Sequence, residues 1–178
     1  MLRDLGLRLR IQTADADEDF PSHLKGHEVP AFLARHKAQH IEVDPEECLI
    51  TADTVVVVGD EILNKAATAE EALLMLNKLS GKSHWVYTGV CLKYRNRTHV
   101  FTEGTEVFFR SLSQEELVFY IETCKPFDKA GAYGIQEWIG HVGVEKIEGC
   151  YLNVVGFPVP RFIQEAHSFL GEHQPFFQ

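Results

Sequence analysis

The sequence predicts a mixed α/β protein, and three observations carry that expectation. The run Leu49 to Val58 is rich in valine and isoleucine and unbroken by charge except at Asp53, as in a central strand covered on both faces. Two signals of the type Ser/Thr-x-x-Glu, Thr68 to Glu71 and Ser113 to Glu116, stand at the start of apolar runs with helical spacing. Between them, Ser83 to Tyr94 and Thr98 to Phe109 are strand-like and joined by the polar turn Arg95-Asn96-Arg97, which reads as a hairpin. A chain of 178 residues can bury a sizeable core, so residues 1–178 are expected to form a single domain with room for two lobes.

Taken in order, Leu7 to Thr13 alternates apolar and polar residues and is expected to form a half-buried strand. Pro30 opens a helix running to about Ile41, with Phe32, Leu33 and Ala38 facing inward. The strand carrying Asp53 follows. After the Thr68 signal, Ala72, Leu73, Met75, Leu76 and Leu79 mark a helix that Ser80-Gly81 ends. The hairpin comes next, and the Ser113 signal then starts a helix through about Glu122. Asp128 to Gly143 is glycine-rich without a strict period and reads as a folded loop. Val142 to Ile147 alternates again, Pro160 to Leu170 makes a last helix, and the tail His173 to Gln178 is expected to fray or to pack on a partner.

Composition narrows the function. The formal charge of −9 disfavours binding to a nucleic acid polymer, which needs an extended basic surface. No stretch approaches the roughly 20 apolar residues of a membrane span and no signal-peptide core is present, so a cytoplasmic location is the default expectation. Cys48, Cys91, Cys124 and Cys150 lack a Cys-x-x-Cys spacing and are read as reduced thiols. The chain has no Gly-x-Ser-x-Gly, no Gly-x-x-x-x-Gly-Lys-Ser/Thr and no Gly-x-Gly-x-x-Gly, which removes several hydrolase and nucleotide-binding templates.

Against that background Asp53 is the candidate for chemistry, because an ionised carboxylate in a buried strand is costly unless a cation or hydrogen bonds compensate it. Lys37, Lys65, Lys82 and Lys129 all fall at element ends, where ammonium groups could gather around phosphoryl oxygens. Glu18, within the acidic run from residue 15 to 19, could join Asp53 in holding Mg²⁺, which takes one or two carboxylates with substrate phosphates. His36 and His40 stand four apart, but without a His-Glu-x-x-His pattern they read as a surface pair. Gln136 ends the loop Tyr133-Gly134-Ile135 with a primary amide, which can present a donor and an acceptor to the edge of a base. Tyr133 and Trp138 could stack a base, but as isolated aromatics they are read first as core.

The segments Ile50-Thr51-Ala52-Asp53-Thr54-Val55-Val56, Leu63-Asn64-Lys65, Leu79-Ser80-Gly81-Lys82-Ser83-His84, Tyr87-Thr88-Gly89-Val90, Asp128-Lys129-Ala130-Gly131-Ala132-Tyr133-Gly134-Ile135-Gln136 and Ile147-Glu148-Gly149-Cys150-Tyr151 occur in that order. Together they closely resemble the Maf family of nucleoside triphosphate pyrophosphatases, over nearly the whole chain. The resemblance implies a two-lobed α/β fold with a nucleotide cleft between lobes, a homodimer, and hydrolysis of a nucleoside triphosphate to the monophosphate and pyrophosphate with a divalent metal, Mg²⁺ or Mn²⁺. It implies that Asp53 is the catalytic carboxylate, that Glu18, Lys37, Lys65 and Lys82 line the phosphate and metal site, and that Gln136 meets the nucleotide. The Asp128 to Gln136 block looks like the branch acting on dTTP and UTP, a house-cleaning activity on the nucleotide pool. A nucleotide-binding regulator of cell division is the alternative. The family normally begins with a strand and a Ser/Arg loop of the type Leu-Ala-Ser-x-Ser-Pro-Arg-Arg, whereas Met1 to Leu7 resembles the end of the helix that follows. The first strand and that loop are therefore expected to be missing, through either a misassigned start or a shortened chain.

Overall fold

The computed structural model describes residues 1–13 and 16–171. Its centre is one five-stranded sheet, β1 (Cys48–Val58), β2 (Glu61–Leu63), β3 (Ser83–Tyr94), β4 (Arg97–Phe109) and β5 (Val144–Glu148), in the order β2-β1-β3-β4-β5. Every neighbouring pair is antiparallel. The expected hairpin is β3–β4, whose register runs from Ser83 opposite Phe108 to Tyr94 opposite Arg97. Arg95 takes a positive φ of 54° in its tight turn.

Helices cover both faces of this mixed α/β fold. Side chains alternate across a strand, so odd-numbered residues of β1 and β3 meet α1 (Val29–Gln39), where Leu49 and Cys91 pack on Ala34 and Ala38. Val55 and Val57 pack on Val29 and Leu33. The even-numbered face carries two separate clusters. At one end Val56 and Val86 join α2 (Ala69–Leu79), α3 (Gln114–Cys124) and α4 (Trp138–Gly143). At the other, Val90, Leu92 and Tyr94 pack on Phe157 and on Phe162, Ala166 and Leu170 of α6 (Val159–Leu170). A polar strip lies between them. There Thr54 Oγ1 and Thr88 Oγ1 are 2.9 Å apart, Thr88 donates to the Asn153 carbonyl, and the Asn153 amide nitrogen donates to the Val86 carbonyl and to Thr105 Oγ1, each at 3.0 Å. Asn153 belongs to α5 (Tyr151–Val155) and, like Thr88 and Thr105, is fully buried.

The start signals behave as their chemistry requires. Ser113 and Glu116 close a full capping box on α3. Thr68 caps α2 by accepting the Glu71 N–H, while the Glu71 carboxylate reaches one residue further back, to the Ala67 N–H. Three expectations are corrected. Leu7 to Thr13 forms no strand: alternation supplies two faces but the segment has no ladder partner among the described residues, and Leu7 to Gln12 instead lines one side of a groove of about 1060 Å³ whose other side is Cys48 to Ala52 of β1. Arg10 holds it there through Glu47 at 2.5 Å. Phe32 is 37% exposed, stacked on His36 outside the sheet contact made by Leu33 and Ala38. The glycine-rich region ends in α4 within what reads as loop, and α5 gave no sequence signal. The tail His173 to Gln178 lies outside the described residues.

Candidate active site

Asp53 sits opposite Gly89 of β3, on the face that α1 covers. The helix lies unusually close there. A Cβ on Gly89 would stand 2.2 Å from the Pro30 carbonyl carbon and 2.3 Å from the Ala31 nitrogen, so only glycine admits the first turn of α1. One turn on, the hydroxyl of Thr51 donates to the Ala34 carbonyl at 2.6 Å. Helical side chains lean towards the N-terminus of their helix, and Lys37, three residues past Ala34, extends back along the strand to Asp53.

Lys37 Nζ lies 2.5 Å from Asp53 Oδ1 and 3.1 Å from Glu18 Oε1, and Lys65 Nζ lies 3.3 Å from Glu18 Oε2. The result is an alternating chain of charges, Asp53, Lys37, Glu18, Lys65, that runs from a buried end to an open one. The Asp53 side chain is 11% exposed, whereas those of Glu18 and Lys65 are about half exposed, at 51% and 54%. Burial pushes the Asp53 carboxyl above the ordinary aspartate range, and the hydrogen bond and charge of Lys37 only partly offset it. Burial also works against the Lys37 ammonium, but the hydrogen bonds and charges of Asp53 and Glu18 outweigh it and leave Lys37 above the usual lysine value. Glu18 is held below the ordinary glutamate range, chiefly by its hydrogen bond from Lys37.

The backbone of Lys65 forms an isolated antiparallel bridge with Ala130, and the Gly131 N–H donates to the Leu63 and Asn64 carbonyls at 3.0 and 3.1 Å. The glycine-rich loop is thereby stitched to the segment that carries Lys65. Gly131 has φ +67° and lies against Val56, three residues from Asp53. At the end of this loop Gln136 is exposed. Asp128 was legible only as the start of the loop motif, yet the Lys129 ammonium beside it and Lys65 across from it hold its carboxyl below the usual aspartate range.

Not every candidate joins this group. Lys82 is exposed at the foot of β3, seven residues before Gly89, which is about 23 Å along a strand rising about 3.3 Å per residue. It makes no ion pair among the described residues. Lys129 pairs with Asp128 at 2.8 Å and with Glu137 at 3.1 Å. His36 and His40 pack edge to face with centroids 4.5 Å apart, and His36 Nε2 is 3.5 Å from Asp17 Oδ1. Tyr133 is a core residue, as expected, its hydroxyl 2.8 Å from Nε2 of buried His84.

Two carboxylates border this site. Asp53 and Glu18 both contact Lys37 Nζ, and Mg²⁺ or Mn²⁺ accepts one or two carboxylates when water and phosphate fill the rest. Among the described residues no group of three or more His, Cys, Asp or Glu side chains is placed to hold a metal. The donors present therefore suit a cation that shares its coordination with a phosphorylated ligand.

The family model for Maf-like protein matches residues 1–169. The chain belongs to the Maf family. Among Maf relatives, a dTTP/UTP pyrophosphatase of Cytophaga hutchinsonii is 46% identical over 172 residues, covering 96% of this chain and 79% of that protein. A dTTP/UTP pyrophosphatase of Bacteroides fragilis is 45% identical over 168 residues, covering 93% and 87%. One from Porphyromonas gingivalis is 43% identical over 171 residues, covering 92% and 86%. Against this Maf background the five-stranded antiparallel sheet flanked by helices is the expected frame, and Asp53 with Lys37 on Gly89 is its chemically distinctive point.

Proposed function

We propose that this chain is a nucleoside triphosphate pyrophosphatase acting on dTTP and UTP, releasing the monophosphate and pyrophosphate. The observation that carries the reading is the chain of ion pairs that leads from exposed Lys65 through Glu18 and Lys37 to Asp53, a buried carboxylate. The relatives named above support the substrate class.

In the proposed reaction Asp53 orients and deprotonates a water that attacks the α-phosphorus. A base works best with its pKa near the working pH, and the upward displacement of Asp53 moves it in that direction. The new bond is from water oxygen to the α-phosphorus, and the bond broken is from that phosphorus to the bridging oxygen, which leaves on pyrophosphate. Lys65 at the exposed end of the charge chain receives the triphosphate, and Lys37 keeps Asp53 ionised and fixed. A divalent cation on Glu18 and Asp53 would supply neutralisation of the phosphoryl charge. Gln136 presents its amide to the base. Lys82 takes no part in this reading because the strand register carries it to the far end of the sheet. Residues 1–178 are read as one domain, acting as a homodimer in the cytoplasm; among the described residues no helix is long and apolar enough to cross a membrane.

The test is pyrophosphate release from dTTP, UTP, CTP, GTP and 7-methyl-GTP with Mg²⁺, comparing the chain with Asp53→Asn. Turnover of dTTP and UTP is expected to drop by about 10²–10⁴ in the variant, the range of a lost general base. Equal turnover by the two proteins would remove Asp53 from the mechanism. Nucleotide binding without turnover would favour a regulator that senses the nucleotide.

A further inference from the structure

The loop that carries Gln136 is held from below by a residue of α3. Tyr120 is fully buried, and its hydroxyl donates to Glu137 Oε2 at 2.5 Å and accepts the Gly134 N–H at 3.0 Å. Gln136 lies between these two partners in sequence. Glu137 extends the brace, since its other oxygen is 3.1 Å from Lys129 Nζ and its N–H donates to the Gly134 carbonyl. The Lys129–Glu137 pair passes directly over Gly134: a Cβ there would stand 3.0 Å from both Glu137 Cδ and Lys129 Cε. The other end of the loop is fixed to Lys65 through the Ala130 bridge. The loop is therefore tied to α3 through one phenol at the end that carries Gln136, and to the segment of Lys65 at the other.

We propose that Tyr120, through Glu137 and the Gly134 N–H, is a positioning residue that fixes Gln136 and thereby sets discrimination among pyrimidine nucleotides. The inference rests on the reading of this site as a dTTP/UTP pyrophosphatase. Tyr120 touches no substrate. Its effect is on where the Gln136 amide stands, so its loss should weaken the recognition of the base while leaving the chemistry at Asp53 in place. A displacement of about 1 Å in a positioning group is enough to cost up to about a hundredfold.

Tyr120→Phe removes the hydroxyl and keeps the ring in the core. With dTTP and CTP as the pair of substrates, KM for dTTP is expected to rise about tenfold with kcat within about twofold, and the dTTP to CTP ratio of kcat/KM to fall about tenfold. Hydrogen exchange is measured on the same variant, where amides of residues 134–136 should exchange faster while those of β1 and β3 do not. A merely structural role would lower both substrates in parallel or leave the ratio unchanged, and either result would overturn the proposal, as would unchanged exchange at residues 134–136. The pyrophosphatase reading fails separately, on the unmodified chain, if it neither hydrolyses dTTP nor binds its α,β-methylene analogue; the assignment of Tyr120 to selectivity falls with it. If the analogue binds without turnover, the ratio of binding constants for the dTTP and CTP analogues replaces kcat/KM, with the same expected tenfold loss.

Discussion

Asp53 is a carboxylate whose neighbourhood disfavours its charge. Its folded pKa is raised, so its contribution to stability is present below the unfolded aspartate value and is lost as pH rises through the folded one. At neutral pH the ionised form is therefore a net cost. Asp53→Asn, which keeps an oxygen for Lys37, should unfold at the same or a higher temperature than the parent at pH 7, and the difference should shrink towards pH 4. Thermal unfolding at the two pH values checks this, and a lower Tm at pH 7 alone would contradict it. His84 works in the opposite direction. Burial pushes its imidazole down to about 4, so the stability it carries is present above pH 6.5 and is lost as pH falls through about 4. Denaturant titrations should show a loss of roughly 1.4 kcal/mol per pH unit in that window, absent in His84→Gln. The deep value has a plain structural cause: Nε2 meets the Tyr133 hydroxyl, and Nδ1 has no hydrogen-bond partner among the described residues, so neither nitrogen has an anion there to stabilise a second proton.

At the scale of elements, the contact between α1 and β3 decides whether the site exists. Gly89→Ala would put a methyl carbon inside the backbone of Pro30 and Ala31, where no side chain can yield. Overpacking costs about 1–3 kcal/mol and sometimes more, and here relief requires α1 to lift, carrying Lys37 away from Asp53. The variant should lose both stability and turnover, with the loss of turnover larger than at a remote site of equal stability cost; circular dichroism melts alongside the pyrophosphate assay separate the two. This contact also marks the limit of what the sequence shows. Asp53 stood out because a charge in a valine run is locally anomalous, and both capped helices announced themselves through short-range chemistry. Glu18, Lys37 and Lys65 were legible as residue types at element ends, but their convergence depends on the sheet register. The same register removes Lys82, which local position alone could not distinguish from Lys65. Tyr120 and Glu137 left no signal because their partnership spans α3 and the glycine loop. Leu7 to Thr13 has the pattern of a strand, yet a strand also needs an edge to pair with, which periodicity does not encode.

Over the whole molecule, the polar strip through Thr54, Thr88, Thr105 and Asn153 divides the even-numbered face into two apolar halves. Asn153 holds the division, since its amide bonds both β3 and β4. Asn153→Ala should destabilise the protein by about 1–3 kcal/mol through loss of the amide's hydrogen bonds to the Val86 carbonyl and to Thr105 Oγ1, which corresponds to a fall of roughly 2–4 °C in Tm for each kcal/mol. A scanning calorimetry trace checks the size of the shift, and an unchanged Tm would show the strip to be dispensable. The division also places Thr54, next to Asp53 in sequence, at the boundary between the halves, so the strand that carries Asp53 is one that both halves share. Lys65 links these scales. Its peptide group holds the loop through Ala130, while its ammonium serves Glu18. Main-chain pairing is indifferent to the side chain, so the charge at this position can be exchanged, lengthened or deleted without disturbing the loop's seat. In the proposed reading, grip on the phosphates and reading of the base are thus separately adjustable, and a change of substrate preference need not come at the expense of the charge chain that ends on Asp53.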